Sequence, residues 1–183
     1  MTERIICAGF GGQGIVTLGK ILAHTGMLEK RNVTYIPKYG AEMRGGTAHC
    51  MVIISDNLIS SPLVSVPDSA IVMNLPSLLK FEESLKAKGD LFLNSSLIKK
   101  ETERKDIRVI KIPATEIATK LGNKQVANMV MLGAYFKQKR MFFEENIFIA
   151  LEEVLNKPEL LSINKQAVKE GMKEVSEKYI SDL

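Results

Sequence analysis

The feature that most constrains this chain is a glycine-dense turn between a predicted strand and a predicted helix. Residues 4–8 form an apolar run, Gly9, Gly11 and Gly14 then satisfy the pattern G-x-G-x-x-G, and apolar residues recur at helical spacing from Ile15. A turn without Cβ atoms lets backbone N–H groups approach a phosphate, and the following helix adds the positive end of its dipole. The pattern therefore predicts a strand-loop-helix unit whose loop binds a phosphate-bearing ligand.

Strand and helix patterns alternate through most of the chain. Apolar and β-branched runs predict strands at 4–8, 33–36, 47–55, 70–74, 91–93 and 107–112, and helical spacing predicts helices from Ile15, from Pro76 to Gly89 and at 114–121. Helical spacing then continues alone at 126–138, 144–155 and about 162–179. We also expect Asp56 and Asn57 to turn the 47–55 strand into a hairpin with residues 58–60, which would make the sheet mixed.

This order predicts an α/β fold of three layers. We expect a Rossmann-like, mixed but mostly parallel sheet with helices on both faces and a helical C-terminal region, and ligands at the carboxyl ends of the strands. The chain has 183 residues, enough for one sizeable core, and contains no internal repeat or Pro/Ser-rich linker. Residues 1–183 are therefore expected to form a single domain.

Composition narrows the classes of function. The chain carries 25 Lys plus Arg and 21 Asp plus Glu, a formal charge of +4, with basic and acidic residues interspersed, which argues against nucleic acid as a partner. It contains no apolar run of about 18 to 20 residues and no leader-like start, so we expect a cytoplasmic protein with no membrane partner. The two cysteines, Cys7 and Cys50, are too few for a four-thiolate cluster, so metal or iron–sulfur chemistry would come from another chain.

Two further residues sharpen the first motif. Gly12 adds an extra glycine, and Gln13 places a side-chain amide at the predicted helix start, where it can donate a hydrogen bond to a ligand oxygen. An ordinary dinucleotide site would also need an acidic residue after the second strand, but that strand ends in Ile36, Pro37 and Lys38. The alternative is that the glycines only allow close packing of the helix on the strand.

A second loop is rich in functional side-chain types. Tyr39, Glu42 and Arg44 stand among glycines in the segment 39–46, which ends in Gly45 and Gly46. The guanidinium of Arg44 is suited to bind a phosphate or carboxylate through two parallel hydrogen bonds, with Glu42 orienting it or pairing with a partner chain. The alternative is a surface pair of Glu42 and Arg44 beside a bulge formed by the two glycines.

Candidate catalytic groups are scarce. His24 and His49 have no second ligand at metal-binding spacing, Cys7 lies in an apolar strand, and no Gly-x-Ser-x-Gly motif occurs. We predict no catalytic residue and no metal ligand in this chain. Asn128, at the start of an apolar helix, either points back at the loops or serves the helix start.

The two loops carry a family resemblance. The sequences G-F-G-G-Q-G at 9–14 and Y-G-A-E-M-R-G-G at 39–46 resemble the gamma subunit of 2-oxoacid:ferredoxin oxidoreductases. The stretches at 60–62, 73–77 and 128–134 are also similar to that family, so the resemblance covers the whole chain. The detailed pattern resembles the 2-oxoglutarate and branched-chain (ketoisovalerate) members more than the pyruvate members.

The resemblance implies a function within a complex. Such a complex decarboxylates a 2-oxoacid on thiamine diphosphate and Mg, passes electrons through iron–sulfur clusters to ferredoxin and forms an acyl-CoA. It implies alpha, beta and ferredoxin-like delta subunits that hold those groups, so the isolated chain would be inactive. The glycine loop, the 39–46 loop and Asn128 would then contribute to a CoA or intersubunit surface. Two alternatives are a stand-alone nicotinamide- or flavin-binding oxidoreductase and an assembly scaffold without a ligand.

Overall fold

The computed structural model describes residues 1–39 and 47–175. Six strands occur in these ranges: β1 (Thr2–Phe10), β2 (Asn32–Tyr39), β3 (Thr47–Ser55), β4 (Ser69–Val72), β5 (Asp90–Asn94) and β6 (Arg108–Ile112). The helices are α1 (Ile15–Leu28), α2 (Leu75–Phe81), α3 (Ala114–Lys120), α4 (Ala127–Lys139), α5 (Glu144–Leu155) and α6 (Pro158–Glu174), with a 3₁₀ turn at Lys124–Val126. The strand-loop-helix unit and the helical C-terminal region are therefore confirmed.

The strands form one mixed sheet in the order β2-β3-β1-β4-β5-β6. The strands β1, β4, β5 and β6 are parallel neighbours, whereas β3 lies antiparallel between β1 and β2. The prediction of a mixed, mostly parallel sheet is confirmed, because β3 alone runs against the other five strands.

Two local predictions are wrong. Residues 58–60 form no strand, because both edges of β3 are already paired with β1 and β2 and leave no edge for a hairpin partner. After Asp56 the chain instead crosses one face of the sheet. The helix expected from Pro76 to Gly89 ends at Phe81, and the turns that follow still bury Leu85 among apolar neighbours of the sheet.

The two faces of the sheet are covered unequally. One face, built by residues such as Ile5 and Cys7, packs against α1 and α4, and α3, α5 and α6 pack in turn on these two helices. The opposite face, built by residues such as Ile6, Ala8 and Ile53, is covered by α2 and by the connecting segments 56–68 and 95–107. We call this second face the α2 face. Helices do lie on both faces, and within the described ranges no helix is long and apolar enough to cross a membrane.

Two glycines bring the backbones of α4 and α6 into contact. A Cβ on Gly133 would lie 1.9 Å from the carbonyl oxygen of Val168, and a Cβ on Gly171 would lie 1.9 Å from that of Val130. Because the obstructing atoms are backbone, neither helix accommodates a larger residue there without moving. This crossing fixes the position of α4.

A buried ionic cluster anchors the C-terminal end of α4 at the amino edge of the sheet. The ammonium group of Lys139 lies 2.9 Å from Glu3 and 2.8 Å from Asp90, and Asp90 also pairs with Arg108 at 2.9 Å. The hydroxyl of Ser69 donates to Glu3. Burial raises the pKa of Glu3, and Lys139 opposes that rise. With its far end fixed, α4 presents its first residues at the carboxyl edge.

Candidate functional site

The glycine loop joins Phe10, the last residue of β1, to Ile15, the first residue of α1. Gly12 and Gly14 adopt φ values of +97° and +70°, a region that side chains other than glycine rarely enter. Gly14 is the N-cap of α1, and it has no side chain to accept hydrogen bonds from the first-turn N–H groups. The start of α1 therefore offers backbone donors and the positive end of a helix dipole.

The glycines of the loop have different roles. A Cβ on Gly9 would lie 2.6 Å from Oε1 of Gln13 and 2.8 Å from Cδ1 of Ile15, so a larger residue at this position would displace both side chains. Gly11 is a partly buried turn residue. A Cβ on Gly12 would meet no atom within 4 Å, so the space beside Gly12 is open. Close packing thus explains Gly9 and leaves Gly12 available for a ligand.

The side chain of Gln13 braces the loop. Its Oε1 accepts hydrogen bonds from the backbone N–H of Phe10 at 2.7 Å and from Nδ2 of Asn74 at 3.2 Å. Asn74 follows β4 and also caps α2 by accepting from the N–H of Ser77. Gln13 was expected to act as a donor, and no sequence motif pointed to Asn74. In the structure the side-chain oxygen of Gln13 accepts hydrogen bonds within the protein, and no described residue accepts a hydrogen bond from the Nε2 of Gln13.

Asn128 lies directly against the glycine loop. Its Nδ2 donates to the carbonyl oxygen of Gly14 at 3.0 Å, and its Oδ1 accepts from the N–H of Met129 at 3.0 Å. A Cβ on Gly14 would lie 2.2 Å from this Nδ2. Asn128 therefore both contacts the loop and satisfies a donor at the helix start, so the two alternatives from the sequence hold together.

Two shallow depressions meet at Gly12. One, of about 250 Å³, is bordered by Gly14, Thr17, Asn128 and the start of α6, and the other, of about 180 Å³, by Gln13, Leu97 and Lys124. Gly12 and Gln125 border both. Lys124 is an exposed cation that was not among the predicted site residues. The signal that it offered was its position four residues before Asn128.

The ends of the second predicted loop reach the same edge. Thr47, the first residue of β3, pairs with Phe10, and Tyr39, the last residue of β2, pairs with Ala48. Both ends of the segment 40–46 therefore start from the edge that carries the glycine loop. Glu42, Arg44, Gly45 and Gly46 lie outside the described residues, so their predicted roles stay predictions.

The topology also separates this loop from an ordinary dinucleotide site. The neighbours of β1 are antiparallel β3 and parallel β4, while β2 lies at the outer edge of the sheet. The residue after β4 on this edge is Met73 and then Asn74, neither of which is acidic. Among the described residues, no strand adjacent to β1 therefore ends in the carboxylate that would bind a ribose.

The histidines and cysteines take structural positions. Nε2 of His24 contacts the carboxylate of Glu153, and the ring of His49 lies 5.2 Å from that of Phe81. Cys7 and Cys50 are buried, unoxidised partners on neighbouring strands, and burial raises the pKa of Cys7 well above its ordinary value. Cys7 is therefore a protonated core residue. Within residues 1–39 and 47–175, no group of three or more His, Cys, Asp or Glu is placed to hold a metal ion.

Comparisons with known proteins agree with this geometry. The family described as pyruvate ferredoxin/flavodoxin oxidoreductase matches residues 4–174. Ketoisovalerate oxidoreductase subunit VorA of Methanothermobacter marburgensis is 38% identical over 130 residues, which is 71% of this chain and 27% of VorA. The chain thus spans about a quarter of that relative. The 2-oxoglutarate synthase subunit KorC of the same organism is 36% identical over 141 residues, which is 73% of this chain and 76% of KorC.

A solved structure shares the whole architecture. The gamma subunit of a keto/oxoacid ferredoxin oxidoreductase from Geobacter sulfurreducens superposes with a TM-score of 0.81 at 25% identity. The superposition covers 94% of this chain and 97% of that chain. The likeness therefore includes the mixed sheet, the glycine loop region and the helical C-terminal region.

Proposed function

We propose that this chain, which belongs to the pyruvate ferredoxin/flavodoxin oxidoreductase family, is the gamma subunit of a complex that oxidises a 2-oxoacid to an acyl-CoA with ferredoxin as electron acceptor. We favour 2-oxoglutarate as the substrate, because the chain covers 76% of KorC but only 27% of VorA. A branched-chain 2-oxoacid is the second candidate, since VorA is the more identical of these two relatives.

The observation that carries the proposal is the open, donor-rich cradle at Gly12. Its positive φ and empty surroundings, the start of α1 beside it and the ammonium group of Lys124 at its rim suit a phosphate-bearing ligand. CoA carries a pyrophosphate, and when bound it supplies the thiol that accepts the acyl group. This chain would bind the phosphates through loop N–H groups and Lys124, and Gln13 and Asn128 would hold the loop in its binding conformation.

The remaining chemistry is assigned to other subunits. Alpha, beta and ferredoxin-like delta chains would hold thiamine diphosphate, Mg and the iron–sulfur clusters. Cys7 and Cys50 are both buried in the core, so neither is available as a cluster ligand without unfolding. We therefore expect the isolated chain to catalyse no oxidation of a 2-oxoacid with ferredoxin. Activity should appear when the chain is combined with its partner subunits.

A pair of glycine variants tests the proposal. Gly12→Ala and Gly122→Ala both place a methyl group on a residue of positive φ, +97° and +88°, with no atom within 4 Å of the new Cβ. Both should lose similar stability, about 1–2 kcal/mol. Only Gly12→Ala also blocks the cradle, so in the assembled complex it should raise the KM for CoA about tenfold or more, a loss equal to one charge-assisted hydrogen bond.

Three other results would argue against this function. Equal CoA dependence in both variants would favour a scaffold without a ligand at this loop. Calorimetric binding of NAD(H), NADP(H) or FAD to the isolated chain more tightly than about 100 μM would favour a stand-alone oxidoreductase. Turnover of a 2-oxoacid with ferredoxin by the isolated chain would overturn the assignment as a subunit.

A further inference from the structure

The exposed apolar side chains gather on the thinly covered side of the sheet. Among the described residues, nine large apolar side chains are exposed, and six of them belong to α2 or to the segments that cover the α2 face. These six are Leu58, Leu63, Val66, Leu75, Leu79 and Leu97. An excess of exposed apolar side chains on one side of a protein is a feature of protein–protein interaction surfaces.

A cluster of basic groups lies beside these leucines. His49 and Lys38 are directly paired across β3 and β2, and the ammonium group of Lys80 lies 5.3 Å from the ring centre of Phe81, which in turn contacts His49. Lys38 and Lys80 thus place two cations close to the His49 ring, and carboxylates on a partner would be attracted to them. No described residue forms an ion pair with Lys38, His49 or Lys80.

The electrostatics at His49 reflect the positive charge of the two neighbouring lysines. Partial burial lowers the pKa of His49, and the ammonium groups of Lys80 and Lys38 lower it further. The apolar component adjoins this cluster, because Leu79 precedes Lys80 on α2 and Leu63 precedes Val64, which packs in the same buried group as Phe81. Leu79 and Lys80 are both exposed on α2, so apolar and cationic side chains occur together on this side of the sheet.

We propose that the surface formed by Leu63, Leu79, Lys38, His49 and Lys80 docks onto another subunit of the oxidoreductase. The partner would present apolar side chains flanked by carboxylates. This inference rests on the proposed function, since it requires a complex. A second copy of this chain fits less well, because a two-fold axis through the surface would bring one cation cluster against another.

Matched variants on two sides of the molecule test the docking surface. Leu79→Lys and the double variant Lys38→Glu/Lys80→Glu change the proposed surface; on α1, Met27→Lys makes the same apolar-to-cation change and Lys20→Glu reverses a single charge. Met27 is 60% exposed and Leu79 is 52% exposed, so all four proteins should keep the melting temperature of the wild type. Each is mixed with the co-expressed alpha and beta subunits, and the dissociation constant is measured at several salt concentrations.

We expect the two surface variants to raise the dissociation constant about tenfold or more and the α1 variants to leave it unchanged. The double variant should also lose the weakening by salt that the wild type shows. Wild-type affinity in both surface variants would overturn the docking surface but not the proposed function. The same holds if a surface variant disrupts only self-association of the isolated chain. A wild-type chain that binds neither subunit would instead overturn the proposed function.

Discussion

Replacing Gly133 by alanine tests whether contact between helix backbones sets the position of α4. The new Cβ would lie 1.9 Å from the carbonyl oxygen of Val168, so α4 and α6 must separate by about 1.5 Å to restore an ordinary contact. Overpacking of this kind costs about 1–3 kcal/mol, and the rigid backbone neighbour favours the upper end. Alanine returns about 1 kcal/mol through its higher helix propensity. We therefore expect a net loss of about 2 kcal/mol.

Urea unfolding followed by circular dichroism measures this loss, which corresponds to a fall in melting temperature of about 4–8 °C for a chain of this size. Gly171→Ala meets the carbonyl of Val130 at the same crossing. Because one separation of the helices relieves both clashes, the double variant should lose less than the sum of the single losses. A stability gain of about 1 kcal/mol in Gly133→Ala would show that helix propensity dominates, and strict additivity would refute a shared separation.

Three further predictions follow from the buried cluster and the two loops. Lys139→Met leaves Glu3 and Asp90 buried without their shared cation, so the free energy of unfolding should fall by about 3 kcal/mol, whereas Lys165→Met at the half-exposed pair with Glu152 should change it by less than about 1 kcal/mol. Burial lowers the pKa of Lys139, but the two carboxylates raise it more, so its net pKa is raised. The stabilisation from Lys139 should therefore be complete below the ordinary lysine pKa of about 10.4 and be lost as the pH rises through the higher pKa of the folded protein. An equal loss of stability at alkaline pH in Lys139→Met would contradict this assignment. Asn128→Asp places a negative charge against the carbonyl of Gly14 and beside the proposed phosphate site. The KM for CoA should therefore rise, in addition to any loss of stability. A lowered melting temperature with an unchanged KM for CoA would count against the site. Arg44→Lys should raise the KM for CoA or the subunit dissociation constant about tenfold with the melting temperature unchanged, because lysine keeps the charge but loses the bidentate geometry; a lowered melting temperature with unchanged CoA dependence would make Arg44 structural.

Local signals were predicted well. The strand, glycine turn and helix at 4–22 follow from apolar periodicity and from glycine's access to positive φ, both of which act within a few residues. The same kind of signal failed at Asp56 and Asn57. The turn chemistry there was sound, but the pairing partners of β3 were β1 and β2, and sequence alone does not rank competing long-range pairings.

The parts of the candidate site that escaped prediction depend on distant contacts. Asn74, which was not predicted, reaches Gln13 across 61 positions. Asn128 was a predicted site residue, but its contact with Gly14 spans 114 positions and only the fold specifies it. Lys124 comes to the rim of the cradle only because the Gly133 crossing and the Lys139 cluster position α4. Periodicity identified α4 as a helix but carried no information about which end of it would meet the glycine loop.

The central position of β1 in the sheet has a consequence for the order in which the elements of this protein fold. β1 pairs with β3 and β4, both of which follow it in the sequence, and the loop after β1 is contacted by Asn128. Contacts so distant in sequence must overcome large loop-closure entropies, which slows folding. We expect helices to form early in refolding and the glycine loop to become competent last, so recovery of ligand binding should trail recovery of the circular dichroism signal.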